Sequence, residues 1–183
     1  MESKDASQNI ITFTGEQMIP GQTRKKSSEE EHMARYTFTK SFVQNKTVLD
    51  VACGVGYGSA MIKSFGATSV YGVDISSRAI QYAQTNYGSD GVTFICETAT
   101  HLPFADQFFD VIISFETIEH LDEESRKSYL HELFRVLKRE GILILSTPNR
   151  SITSPYSKTP LNPHHVIEYN EQELARVMSE YGF

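Results

Sequence analysis

Two groups of residues in this chain could do chemistry. The first is Val48-Leu49-Asp50-Val51-Ala52-Cys53-Gly54-Val55-Gly56-Tyr57-Gly58, an apolar run that carries an acid and passes into a glycine-rich turn. Such a turn lets a ligand approach the backbone closely, as nucleotide-like molecules do. The dinucleotide fingerprint G-x-G-x-x-G is not met, because its third glycine or alanine falls at Ser59. Asp50 stands four residues ahead of Gly54, where its charge would oppose a pyrophosphate and attract a cation. Asp74 lies 18 residues after Gly56, the place where a carboxylate accepts both hydroxyl protons of an adenosine ribose. A glycine turn alone is often only a tight connection. The two acids are what point beyond that reading, to a nucleoside ligand that is positively charged and lacks phosphate.

The second group is Glu116-Thr117-Ile118-Glu119-His120. Residues three and four apart on a helical turn share one side, so Glu116, Glu119 and His120 can converge as a base or a metal site. His164 and His165 follow in a later segment and offer a further imidazole. A simpler reading is that this stretch caps a helix and closes a pocket while the two later histidines line a cleft. We prefer that metal-free reading.

These residues need a scaffold. Strand-like runs cover 47–52, 69–74, 92–96, 109–115 and 142–146, and they alternate with helix-like segments. Three of those segments are expected to end at Gly66, Gly88 and Gly141. Val and Ile on both faces of the strands imply helices on both sides of a parallel sheet, an α/β doubly wound fold. Residues 1–28 are polar and read as an arm. Residues 29–183 form one domain, with a ligand-binding core over 47–150 and an acceptor-side loop and last helix over 151–183. Ser28 and Glu31 suggest a capping box ahead of a helix over 29–44. Pro148 stops the fifth strand, a polar loop spans 149–168, and EQELARVMSEYGF reads as the final helix.

Bulk composition excludes several classes of function. A net charge of −6 gives no basic field for nucleic acid, so no such partner is expected. No apolar run approaches the ~18 residues of a membrane span, and the first ten residues do not resemble a signal peptide. The two cysteines, Cys53 and Cys96, match no metal or redox spacing, which suits a reducing, cytoplasmic setting.

VLDVACGVGYGS, GVDIS, LPFADQFFDVIISFETIEHL and RVLKREGILILSTPN resemble the ordered motifs of class I S-adenosylmethionine-dependent methyltransferases, over residues 47–150. The resemblance implies a Rossmann-like, mostly parallel sheet and S-adenosylmethionine as donor, whose ammonium and sulfonium suit the acids of the loop. It implies that Asp50, Ala52, Gly54 and Gly56 line the methionine end, that Asp74 holds the ribose, and that Ile75 packs on the adenine. Thr98 and Ala99 would flank the adenine amino group, where many relatives carry an acid in place of Thr98. Phe115 would lie near the sulfonium, unless it is a plain core residue.

E-x-x-E-H resembles a magnesium-binding element of quinone O-methyltransferases and of small-RNA terminal 2′-O-methyltransferases. It implies His120, Glu116 and His165 as catalytic groups, and Glu116, Glu119, His120 and His165 as ligands should Mg2+ be used. TGEQMIPG, EEHMARYTF, STPNR and NPHHVIEY resemble bacterial methyltransferases associated with sugars and polysaccharides. That likeness places Arg35 and Tyr36 over the cofactor and residues 150–170 along the acceptor. The expected activity is methylation of an oxygen or nitrogen on a small molecule or sugar. The alternatives are a catalytically silent S-adenosylmethionine-binding protein or subunit and, less favoured, an NAD-dependent dehydrogenase. The family sheet has seven strands, and this sequence reaches Phe183 with the final two unaccounted for. Its sheet edge is therefore expected to be covered by a partner, such as a second copy in a homo-oligomer.

Overall fold

The apolar runs become five parallel strands in the order β3-β2-β1-β4-β5. The computed structural model describes residues 26–157 and 159–183, with side chains from residue 29 onward. β1 (Thr47–Val51) lies at the centre between β2 (Ser69–Asp74) and β4 (Phe109–Phe115); β3 (Val92–Cys96) flanks β2 and β5 (Leu137–Ser146) flanks β4. The register is regular on β1, with Asp50 opposite Gly72 on one side and Ile113 on the other.

Helices close both faces because neighbouring strand residues point to opposite sides. Val48, Val70, Val111 and Ile113 pack with Ile62 of α3 (Tyr57–Ser64) and with Ile80 and Ala83 of α4 (Ser77–Tyr87). Leu49, Val51, Val73 and Ile112 face the other way, onto Tyr129, Leu130 and Leu133 of α5 (Glu123–Val136). Ser76 caps α4 by accepting from the Ala79 N–H, and Asp122 caps α5 by accepting from that of Ser125. All five strands and the helices between them follow from the sequence pattern.

Several boundaries differ. The helix expected over 29–44 is two pieces, α1 (Lys26–Phe38) and α2 (Lys40–Val43). Buried Thr39 divides them: its hydroxyl donates to the Tyr36 carbonyl at 2.7 Å and competes with the helical ladder. Since α1 already runs at Lys26, Ser28 lies inside its first turn and not at the position ahead of it, where a cap was expected. The polar arm over 1–28 lies, apart from the helical backbone of 26–28, outside the described residues.

Gly66 ends α3 in the left-handed conformation, as expected, whereas Gly88 is extended. Gly141 is not a helix terminus, because α5 ends at Val136 and passes directly into β5. Phe109 pairs with Leu137, and a register shift before Val111 absorbs the early start of that strand. The 149–168 loop contains one helical turn, α6 (Arg150–Thr153), and the last helix, α7 (Glu171–Glu180), starts with a capping box between Asn170 and Glu173. Five strands occur among the described residues, and β5, with Ile142 exposed, forms one edge of the sheet. No described helix is long and apolar enough to cross a membrane.

Candidate functional site

The winding direction of the sheet reverses between β1 and β4, so the loops leaving their carboxyl ends part and open a crevice. The loop after β1 is left-handed at Ala52 (φ 56°), Gly54 (φ 55°) and Gly56 (φ 85°). Its glycines have different reasons. A Cβ at Gly56 would stand 2.6 Å from the Ala83 Cβ and 2.7 Å from the Phe94 ring, and one at Gly58 would stand 2.0 Å from the Tyr36 ring. Both serve internal packing. At Gly54 a Cβ would meet nothing within 4 Å, so this is the glycine whose backbone faces open space.

Asp74 joins this loop to the next. Its Oδ2 accepts the Gly54 N–H at 2.8 Å and its Oδ1 accepts the Ser76 N–H at 2.8 Å, which fixes the carboxylate at the mouth of the crevice. Ile75, the following residue, is 76% exposed and offers a bare apolar face. Asp74 pairs with Cys96, so Thr98 and Ala99 rise beside Ile75 just beyond β3. The Thr98 hydroxyl shares a hydrogen bond with that of Thr100 at 2.8 Å. None of residues 52–57, 74–77 or 97–100 is Lys or Arg.

Asp50 is buried at 1% exposure, beneath the loop and not along it. Ser59 Oγ donates to Oδ2 at 2.6 Å and the Tyr36 hydroxyl donates to Oδ1 at 3.2 Å. Burial raises its pKa from 3.8 to about 7; the two donors pull it back and the Asp74 charge adds to the rise. Asp50 therefore titrates near neutrality, and the fixed carboxylate expected at the methionine end is a buried, hydrogen-bonded acid in this structure. Ser59, the residue that breaks the dinucleotide pattern, is one of its two donors. That role depends on a contact nine residues away and carried no signal of its own.

α1 lies across the crevice. Tyr36 packs edge-on against Tyr57 and Phe115, with ring centroids 5.5 and 5.1 Å apart. Arg35 Nε lies 3.6 Å from Glu116 Oε1, and the Tyr57 hydroxyl lies 3.2 Å from His32 Nδ1. Phe115 belongs to the packed core around Tyr36.

Beyond β4, a 3-10 turn (Ile118–His120) carries the second group. The Glu119 carbonyl accepts from the Val166 and Ile167 N–H groups at 2.7 and 3.2 Å, which pins the later loop onto the turn. The His120 and His165 rings consequently meet edge-on, 5.2 Å apart. His165 Nδ1–H donates to Glu168 Oε1 at 2.7 Å, and His120 Nδ1–H donates to the His164 carbonyl at 3.0 Å. Glu168 is buried, yet hydrogen bonds from Ser154, Thr153 and His165 outweigh its desolvation and hold its pKa below the usual range. Glu119 is fully buried: Oε2 accepts from Thr147 Oγ1 at 2.9 Å and Oε1 has no hydrogen-bond partner. Burial raises its pKa.

A family model described as a methyltransferase domain matches residues 49–145, from β1 to the end of β5. The chain belongs to this family. The methyltransferase domain is 34% identical over 178 residues to a protein of Mycobacterium tuberculosis named "Probable S-adenosylmethionine-dependent methyltransferase", covering 97% of this chain and 63% of that one. A Mycolicibacterium smegmatis protein with the same wording in its name is 32% identical over 179 residues, covering 98% and 68%. The chain thus spans about two-thirds of the length of these curated relatives. A solved protein of Pyrococcus horikoshii OT3 superposes with a TM-score of 0.72 at 24% identity, covering 86% of this chain and 82% of that one, which supports the fold alone.

Of the ligand set expected in the methyltransferase domain, Glu119, His120 and His165 come together, each offering a donor atom within 4.8 Å of the others. Glu116 lies apart, accepting from Ser146 Oγ at 2.8 Å and facing Arg35. Two imidazoles and one carboxylate do not fit Mg2+, which takes oxygen ligands.

Proposed function

We propose that this methyltransferase domain transfers the methyl group of S-adenosylmethionine to a hydroxyl oxygen of a small molecule or sugar. The observation that carries this reading is the mouth formed by Gly54, Asp74 and Ile75. It combines an open left-handed backbone, a fixed carboxylate and an exposed apolar face, and none of residues 52–57, 74–77 or 97–100 is Lys or Arg. In it, Asp74 uses its remaining lone pairs for the ribose hydroxyls, Ile75 supports the adenine, and Thr98 and Ala99 border it. The methionine end extends past Ala52 and Gly54 toward β4.

Methyl transfer is a displacement at an already activated carbon: the sulfonium–carbon bond breaks as the acceptor oxygen–carbon bond forms, leaving a neutral thioether. The protein's part is to align the two molecules and exclude water, which α1 does by laying Arg35 and Tyr36 across the crevice. An alcohol is a weak nucleophile and must shed its proton as it attacks, whereas a neutral amine can attack first. The polar groups beyond β4, Glu116, His120 and His165, favour the alcohol, because they can take or polarise that proton. Mg2+ has no part in this reading.

The test is calorimetric titration of the purified chain with S-adenosylmethionine and with NAD. Binding of the donor at micromolar concentration without NAD binding is expected, and the reverse preference would overturn the assignment. Turnover in the presence of sugar and phenol acceptors then separates an enzyme from a silent donor-binding subunit.

A further inference from the structure

We infer that Glu119, His120 and His165 form a binding site for one divalent transition-metal ion, of the Zn2+, Co2+ or Mn2+ class, beside the transfer crevice. The site rests on two independent observations. One is the cluster itself, three donor atoms within 4.8 Å of one another from two separate segments of chain. The other is Glu119 Oε1, a carboxylate oxygen in a fully buried side chain with no hydrogen-bond partner. A buried carboxylate oxygen left without a donor costs roughly 1–3 kcal/mol, and a bound cation satisfies it.

The surrounding hydrogen bonds set the imidazoles for ligation. A carbonyl and a carboxylate can only accept, so His120 and His165 both carry their proton on Nδ1 and their lone pair on Nε2. A histidine that donates its far N–H to a carboxylate or carbonyl is oriented and made more basic as a ligand. Glu168 does this for His165 and is itself held by Thr153 and Ser154, at 2.7 and 2.6 Å. The Asn162 amide now donates to His165 Nε2 at 2.8 Å and must rotate away when an ion takes that lone pair. Donors around a tetrahedral ion stand roughly 3.3 Å apart, a small closure of the present spacing that the half-buried His165 and exposed His120 can make by side-chain rotation. Three protein ligands leave a coordination position open for an acceptor hydroxyl, and Glu116, outside the cluster, remains to take its proton.

The site deepens the proposed transfer reaction but is tested without it. The chelator-treated full chain is titrated with Zn2+, Co2+, Mn2+ and Mg2+ separately, by calorimetry and, for Co2+, by visible absorption. One equivalent of Zn2+ or Co2+ is expected, with much weaker Mg2+ binding and a Co2+ spectrum of low coordination number. His120→Ala, on an exposed side chain, and His165→Ala should each abolish the Co2+ spectrum while circular dichroism stays unchanged. Glu168→Gln should weaken binding about 10- to 100-fold. No saturable binding, equal affinity for Mg2+, or binding indifferent to these variants would overturn the site. Donor titration on the same sample keeps the two readings apart: donor binding without metal removes only the ion, and metal binding without donor removes only the proposed reaction.

Discussion

Replacing Asp50 with asparagine isolates the energetic cost of placing an acid under the cofactor loop. Asp50 is fully buried, and its pKa rises from 3.8 to about 7. Each unit corresponds to about 1.4 kcal/mol, so complete ionisation in the folded state costs roughly 4 kcal/mol relative to the unfolded chain. The folded state holds the proton over a range where the unfolded state has released it, so stability falls as pH rises from 3.8 to about 7 and levels off above. Between pH 5 and pH 8 the loss is about 2–3 kcal/mol. Asparagine keeps the shape and the oxygen that receives the Tyr36 hydroxyl, and Ser59 can accept from its amide. The carboxylates held low, Asp110, Glu132 and Glu168, act in the opposite direction, but at more acidic pH. Because they are common to both proteins, they cancel in the difference. Thermal unfolding by circular dichroism at pH 5, 6, 7 and 8 should show the melting temperature of the Asp50 protein falling relative to the variant by roughly 5–10 °C across the range. Parallel curves would refute the assignment of a buried, near-neutral titration to Asp50.

Asp74→Ala should weaken S-adenosylmethionine binding by about 1–3 kcal/mol in calorimetry, and unchanged affinity would remove the ribose role. Gly56→Ala must fit a Cβ 2.6 Å from Ala83 at a φ of 85°, so urea unfolding should report a loss of about 2–4 kcal/mol. Gly54→Ala meets no atom and carries only the left-handed penalty, about 1 kcal/mol. Its fold should survive, with its effect felt in donor affinity, and equal destabilisation by the two alanines would contradict the division of roles between these glycines.

The strands were legible because Val and Ile recur on both faces over short runs, and β2, β3 and β4 fall where the pattern puts them. The start of β5 was not, since Lys138, Arg139 and Glu140 carry no strand signal and lie in the register shift between the Phe109–Leu137 and Val111–Ile142 pairs. The break at Thr39 and the burial of Asp50 were hidden for a related reason: both depend on Tyr36, whose position is decided by tertiary packing. Spacing brought Glu119 and His120 together but could not separate Glu116, whose partners Ser146 and Arg35 come from a strand and a helix remote in sequence. The dyad of His165 with Glu168 sits at i,i+3 and was readable in principle, but burial of Glu168 under Thr153 and Ser154 was not.

Asp74 clasps two segments at once, the Gly54 amide with one oxygen and the Ser76 amide with the other. Amide hydrogen exchange at these two positions is therefore coupled: whatever frees one end of the clasp slackens the other, and a ribose bound to this carboxylate as proposed would slow both together. Affinity lost at this acid measures the ordering of two loops as well as the contact removed.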